Sequence, residues 1–401
     1  MLSMSIVLVG LIGRAVIEKV LALQGGAAAV ALWGQVGSLV DLLSGVGLAG
    51  IGVGVVVLVA RERQASRRWG TLGVGVVFGL LLSGLLLGVL ELFPRLLVIL
   101  VGGLLPQELL RLAGLAGWLG IVPGILNNYW QGRQYRLALF AWAVLVMVAS
   151  MTGILWRSEV PLMGRLLWAQ IALAVLVALG LLTHFTRHAH GVGWGDAWRP
   201  LLRYAPAGLS IGLLSPISSL IMRRELADAL SWEDVGMIQA QWRVVDWVMA
   251  LASGVMTYHF LPLLSAAMGK EFDGQLGRMA RWTLLPSALL MLVYWLFQEP
   301  ILWLFYQSGF ALSPRATALF LLGDWVRILS WIFLYTLYVR RQTWAIVFGE
   351  IFSLPLFATL LWLAPAPLAA WHVGALWVVS YCTYATFNGL MVLKWQPVAQ
   401  S

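Results

Sequence analysis

The chain has 401 residues, of which 61% are Ala, Val, Ile, Leu, Met, Phe, Trp, Tyr or Cys, with 42 Gly besides and only 11% charged residues. Soluble domains carry roughly 25% charged residues, and disorder needs low hydrophobicity with high net charge, so both classes are excluded. A formal net charge of +9 beside a mean hydropathy of +0.88 belongs to a chain written for lipid.

A spanning helix needs roughly 20 apolar residues, and the pattern predicts twelve of them, near 4–23, 30–60, 71–93, 107–130, 136–156, 162–185, 204–224, 233–262, 282–306, 314–339, 342–363 and 369–393. The first stretch carries Arg14, Glu18 and Lys19 and has no small-residue cleavage site after it, so it reads as a retained first helix rather than a secretory signal. Span 2 holds Asp41 and the run Gly45-Val46-Gly47-Leu48-Ala49-Gly50. That run matches G-x-G-x-x-G, but a dinucleotide fingerprint follows a strand and opens a helix, whereas this one lies inside an apolar helix. Small residues at 45, 49, 50 and 54 fit close helix approach instead. No cofactor is implied.

The longest polar connection, Thr186 to Arg203, divides six spans from six. We place the two domains at 1–190 and 191–401. His184, His188 and His190 read as part of a solvated basic loop, not a metal site, because no second ligand cluster accompanies them. The lone cysteine, Cys382, allows no disulfide. Trp69, Trp130, Trp156, Trp198, Trp282, Trp344 and Trp395 fall at span ends, as an interfacial aromatic belt would, while Trp232, Trp242 and Trp303 are candidates for stacking on sugars.

With a cytoplasmic N-terminus, the even-numbered connections and the C-terminus hold 15 of the 26 Lys and Arg, among them Arg61, Arg63, Arg67, Arg68, Arg340 and Arg341. The odd-numbered connections and adjoining helix ends hold seven, balanced by acids such as Glu91, Glu108, Asp228 and Glu233. Positive loops inside account for most of the +9, so a nucleic-acid partner is not needed. Both termini are predicted to be cytoplasmic.

The remaining four basic residues, Arg14, Lys19, Arg243 and Arg327, lie within spans, as do Asp41, Asp246, Asp324 and Glu350. Ionisable groups at membrane depth cost about 2.5–3.5 kcal/mol each even on the mildest scale, so they face a bundle interior or a watery cavity. Arg14/Glu18 at i,i+4 and Arg243/Asp246 and Asp324/Arg327 at i,i+3 share helix faces and can partly neutralise one another. The pattern fits structural pairing between helices as well as a charged cavity for an anion or for protons. An offset of 205 residues lays Val40-Asp41 on Val245-Asp246, a thin sign of two related halves. Parallel six-helix bundles around a central cavity are an architecture that transporters use.

The stretch Gly208–Ala227 (G-L-S-I-G-L-L-S-P-I-S-S-L-I-M-R-R-E-L-A), with L-S-W-E-D-V-G-M-I-Q-A-Q-W-R-V-V-D-W and Y-H-F-L-P-L-L-S after it, resembles the polysaccharide flippases that move O-antigen units and the enterobacterial common antigen lipid. These belong to the multidrug/oligosaccharidyl-lipid/polysaccharide exporter superfamily. Gly323-Asp324-Trp325-Val326-Arg327-Ile328-Leu329-Ser330-Trp331 with Glu350-Ile351 looks like that family's helices 10 and 11, and Asn127 with Gln131-Gly132 ends span 4 in a similar way. The resemblance implies an all-α polytopic fold of about twelve transmembrane helices in two pseudo-symmetric six-helix bundles. It also implies a bacterial inner (cytoplasmic) membrane location, an undecaprenyl-pyrophosphate-linked glycan as substrate, lipopolysaccharide or O-antigen biosynthesis as context, and polysaccharide polymerase machinery as a partner. For such a substrate Arg14, Lys19, Arg243 and Arg327, with Arg223 and Arg224 near the outer mouth, are the candidate pyrophosphate ligands. Asp41, Asp246, Asp324 and Glu350 are the candidate ion-coupling residues. Alternatives are a drug/cation antiporter or a lipid II flippase of the same superfamily. A polysaccharide polymerase or ligase is the rival from the enzymes, disfavoured because no long extramembrane loop offers an active site.

Overall fold

The computed structural model describes residues 2–48, 51–103, 105–188, 198–202, 205–267, 269–340, 342–365 and 367–394. These fold as helices and connections, with no strand among them. In chain order the helices are α1 (Leu2–Leu48), α2 (Ile51–Arg61), α3 (Ala65–Leu92), α4 (Pro94–Val101), α5 (Gln107–Leu119), α6 (Ile121–Gly132), α7 (Arg136–Leu155), α8 (Leu162–His188) and α9 (Trp198–Leu202). They continue with α10 (Ala205–Ala229), α11 (Trp232–Val255), a π-helical turn (Met256–Phe260), α12 (Leu261–Ala266), α13 (Lys270–Leu296), α14 (Gln298–Phe305), α15 (Pro314–Val339), α16 (Thr343–Glu350), α17 (Leu354–Leu363) and α18 (Ala370–Lys394).

Nine helical segments among the described residues are long and apolar enough to cross a membrane. The difference from twelve has local causes. Spans 1 and 2 run together in α1, where the break is two residues, Gly25 (φ −139°, ψ 15°) and Gly26 (φ 65°, ψ −161°), rather than a loop. Glycine enters the positive-φ region without the steric cost a Cβ would bring. Helix α11 is made less apolar by Gln239, Gln241, Arg243 and Asp246, and the side chains in the first part of α10 lie outside the described set. Other predicted spans are interrupted: 107–130 at Gly120, and 342–363 between Glu350 and Leu354, where Pro355 at the start of α17 supplies no backbone donor. The short α4 occupies what the sequence suggested was a connection.

Helix starts follow their sequence signals. The Ser231 hydroxyl caps α11 by accepting from the Asp234 amide at 3.1 Å, and Glu233 and Asp234 in the first turn complement the helix dipole. Ser313 does the same for α15 ahead of Pro314.

The chain packs as two compact units, Met1–Gln24 with Leu32–Arg224, and Gly25–Ala31 with Glu225–Ser401. The predicted domain boundary at residue 190 falls in 189–197, outside the described residues. In the first unit Leu39, Leu42 and Leu43 of α1 meet Leu110, Ala113 and Ala116 of α5 and Leu167 of α8. A second cluster joins Ile51 and Val55 of α2, Leu72 of α3 and Ile121 and Ile125 of α6. Backbones touch where glycines face: a Cβ on Gly79 would stand 2.7 Å from the Gly47 carbonyl oxygen, and one on Gly47 2.9 Å from that of Gly79. Gly45 lies equally close to the Gly212 carbonyl of α10, so the glycine run serves helix approach, while residues 49 and 50 lie outside the described set. In the second unit α15 and α18 form the central pair, with Gly374 against the Ala316 carbonyl.

Candidate functional site

In the first unit, polar side chains gather at the end of the helices reached by the odd-numbered connections. Gln35 is fully buried, and its Nε2 donates to the carbonyls of Val101 at 3.0 Å and Leu220 at 3.1 Å, joining α1, α4 and α10. Arg223 is buried and donates from Nη1 to Ser38 Oγ at 2.6 Å. Arg224 donates to the Ile99 carbonyl at 2.6 Å. Both arginines are thus engaged with α1 and α4 backbone or hydroxyl groups. Gln35 and Ser38 were missed in the sequence, where a lone amide in an apolar span was the available signal. Arg14 is exposed on α1, Glu18 one turn later is buried, Lys19 is half-buried and Asp41 is exposed.

In the second unit the charges lie on α11, α15 and α16. Arg243 and Asp246 pair at 3.3 Å, as their i,i+3 spacing on α11 predicts. Asp324 and Arg327, with the same spacing on α15, do not pair. Asp324 is buried, its Oδ1 accepts from Trp377 Nε1 at 3.2 Å, and its Oδ2 has no hydrogen-bond partner among the described residues. The Arg327 guanidinium instead lies 5.4 Å from the ring centroids of both Trp331 and Tyr381, in cation–π range. Asp246, Asp324, Arg327 and Tyr381 share one electrostatic neighbourhood.

Glu350 sits where α16 ends. Its Oε1 accepts from the Tyr384 hydroxyl at 2.9 Å, and its backbone carbonyl accepts from Ser353 Oγ at 2.7 Å. The carbonyls freed by the break between α16 and α17 are partly recovered by Ser380 of α18, which donates to Ser353 O at 2.8 Å. Inside a bilayer such recovery is needed, since an unsatisfied backbone group costs several kcal/mol. Trp377, Tyr381, Tyr384 and Asn388 line the buried face of α18. They recur at i, i+4, i+7 and i+11, a helical stripe legible in the sequence that charge alone did not pick out.

Trp242 packs on Trp377 at 5.0 Å and edge-on to Phe320 at 5.8 Å, which makes it core rather than a sugar platform. Trp156, Trp198, Trp282 and Trp344 are exposed, as a belt requires. Trp69 is not: it stacks on Tyr129 at 5.0 Å and lies 4.1 Å from the His184 ring. His184 is therefore partly a packing residue, and His190 lies outside the described set. No group of His, Cys, Asp and Glu able to hold a metal occurs among the described residues. Beyond the end of α15, Arg340 donates to the Val392 carbonyl at 2.6 Å, and burial holds its guanidinium below the usual arginine range while Asp273 opposes that shift.

The fold is similar to that of solved transporters of the MOP superfamily. A multidrug resistance MATE family transporter in an inward-facing conformation superposes with a TM-score of 0.69 at 14% identity over 97% of this chain and 95% of that one. The lipid II flippase MurJ, in an inward closed conformation, gives 0.65 at 13% identity over 99% and 88%. In sequence, the Lipid III flippases of Escherichia coli (strain K12) and Shigella flexneri are each 22% identical over 198 residues, 49% of this chain and 47% of theirs. The chain thus spans about half the length of the curated relatives it matches. No family model matches it. The similar proteins are carriers, not enzymes, which agrees with the argument from loop length.

Proposed function

We propose that this protein is a flippase that carries an undecaprenyl-pyrophosphate-linked oligosaccharide from the cytoplasmic to the periplasmic leaflet of a bacterial inner membrane by alternating access, with both termini cytoplasmic. The observation that supports it most directly is Arg327: within a span, its guanidinium rests on aromatic faces and closes no ion pair among the described residues. A cation so held keeps donors for an incoming anion, and a pyrophosphate cannot cross hydrocarbon without such compensation. Arg243, half-buried with Asp246 as its partner, is the second ligand we assign, with Arg14 and Lys19 on α1 as further candidates. Arg223 and Arg224 guide the head group through their position rather than as free donors. Similarity to Lipid III flippases over half the chain supports a lipid-linked substrate, and an O-antigen-like repeat unit is the glycan we favour. Asp41, Asp246, Asp324 and Glu350 are the residues we propose for ion coupling, Asp324 foremost because one of its oxygens is buried without a partner. Polysaccharide polymerase machinery is the partner that would consume the flipped product.

The test is translocation of a fluorescent lipid-linked oligosaccharide in liposomes carrying the purified protein. Arg327→Ala and Arg243→Ala should abolish it with the protein correctly inserted. Full activity of both variants would remove these residues from the site, and efflux of cationic drugs without lipid movement would favour the antiporter.

A further inference from the structure

A cavity of about 590 Å³ opens in the second unit between the π-helical turn with α12 on one side and the end of α15 on the other. Among the described residues it is lined by Thr257, Leu261, Ser265, Tyr335, Tyr338 and Val339. Its size lies within the range of small-molecule sites, and none of the charged residues discussed above lines it.

The local sequence explains why it is there. Pro262 has no N–H to bond the carbonyl four residues earlier, so the chain widens into the π-helical turn at Met256–Phe260. Such turns recur at functional sites. This one presents Thr257 toward Tyr335, whose hydroxyls share a short hydrogen bond. One hydroxyl of the pair donates to the other, which leaves one O–H to donate outward and lone pairs to accept. Ser265 already donates to the Leu261 carbonyl at 2.7 Å, so it offers an acceptor. The Tyr338 hydroxyl has no hydrogen-bond partner among the described residues, and the side chain is 48% exposed at the mouth. The two phenol rings stand edge to face at 6.1 Å.

Among the described lining residues, hydroxyl donors and acceptors stand beside two aromatic faces with no charged side chain, which is complementary to a neutral polyhydroxylated molecule. A phosphate would find no cation among the described lining residues, and the Glu350 carboxylate acts on Tyr338 from nearby. We propose that this cavity is a sugar-recognition site, which holds a neutral part of the glycan while the arginines hold the pyrophosphate. This rests on the flippase reading for its substrate but on the cavity's own chemistry for its ligand class.

The experiment removes hydroxyls while keeping shape, in a Tyr335→Phe/Tyr338→Phe variant and separately in Thr257→Val. Binding to the purified protein is measured for the lipid-linked oligosaccharide and for sugar-free undecaprenyl pyrophosphate. The double variant should weaken the glycan-bearing lipid by about tenfold, as loss of one to two net hydrogen bonds would, and leave the sugar-free lipid unchanged. Equal weakening of both lipids, or no weakening of the glycan-bearing one, overturns the proposal. If the wild type binds neither lipid, the flippase reading fails, and the disaccharide chitobiose decides by hydrogen exchange. Protection of residues 256–265 that the double variant loses supports the cavity, and no protection overturns it.

Discussion

Arg223 Nη1 and Ser38 Oγ lie 2.6 Å apart, although 185 residues separate them in sequence. The bond fastens α10 to the second half of α1 at the same level at which Gln35 reaches Leu220 and Arg224 reaches Ile99. A buried guanidinium in that setting holds structure as well as charge, and its removal should show in stability.

Arg223→Ala should lower the thermal stability of the purified protein by an amount equivalent to about 1–3 kcal/mol, the cost of leaving buried polar groups unpaired. Ser38→Ala, which strips one acceptor from the same arginine, should act in the same direction. Scanning calorimetry or fluorescence-monitored unfolding reads both. Unchanged stability with lost translocation would instead make Arg223 a substrate ligand alone.

Gly79→Leu should be among the most damaging substitutions in the first unit. Its Cβ would meet the Gly47 carbonyl at 2.7 Å, and the obstacle is backbone, which cannot rotate away. Overpacking of a tight contact costs roughly 1–3 kcal/mol, so the yield of folded, monodisperse protein should fall. Gly88→Leu, where a Cβ meets nothing within 4 Å, is the control and should be tolerated.

Coupling can be assigned with four isosteric variants in liposomes under an imposed pH gradient. Burial favours the protonated carboxyl and a nearby cation the ionised one, so an acid between those influences can exchange a proton when its surroundings change. Asp324→Asn should still translocate lipid but lose its response to the gradient, and Asp41→Asn, at an exposed side chain, should weaken that response less. Equal responses in Asp41→Asn, Asp246→Asn, Asp324→Asn and Glu350→Gln would show that none alone is the coupling site, and no response in the wild type would end the proton hypothesis.

Reporter fusions at Arg67 and Asp228 should locate to opposite faces, because the first follows span 2 and the second follows span 7. The same face for both would break the alternation on which the proposed orientation rests.

The helical class and most span positions were legible because apolar run length is the dominant signal in a chain solvated by lipid. What the sequence hid were matters of distance along the chain. The i,i+3 rule placed Arg243 on Asp246, but for Asp324 the competitor was an indole on α18, 53 residues away. Glu350 stood out as a charge at depth, yet its partner Tyr384 comes from another helix and carries no charge to betray it. The break in α1 was read as a loop because two adjacent glycines can turn a chain without the polar residues that usually mark a connection.

The attachment of α10 to helices from the start of the chain bears on how the gene could be divided. Expressed as two pieces cut at the long connection near residue 190, the first piece would lack the helix that accepts from Gln35 and donates to Ser38, so Gln35 would keep only its bond to α4 and the Ser38 hydroxyl would lose its donor. A cut after Ala229, at the turn that precedes the Ser231 cap, keeps those groups satisfied within one polypeptide. Fragments divided there are the better pair for co-expression, and the covalent midpoint of the chain is not the seam along which it comes apart.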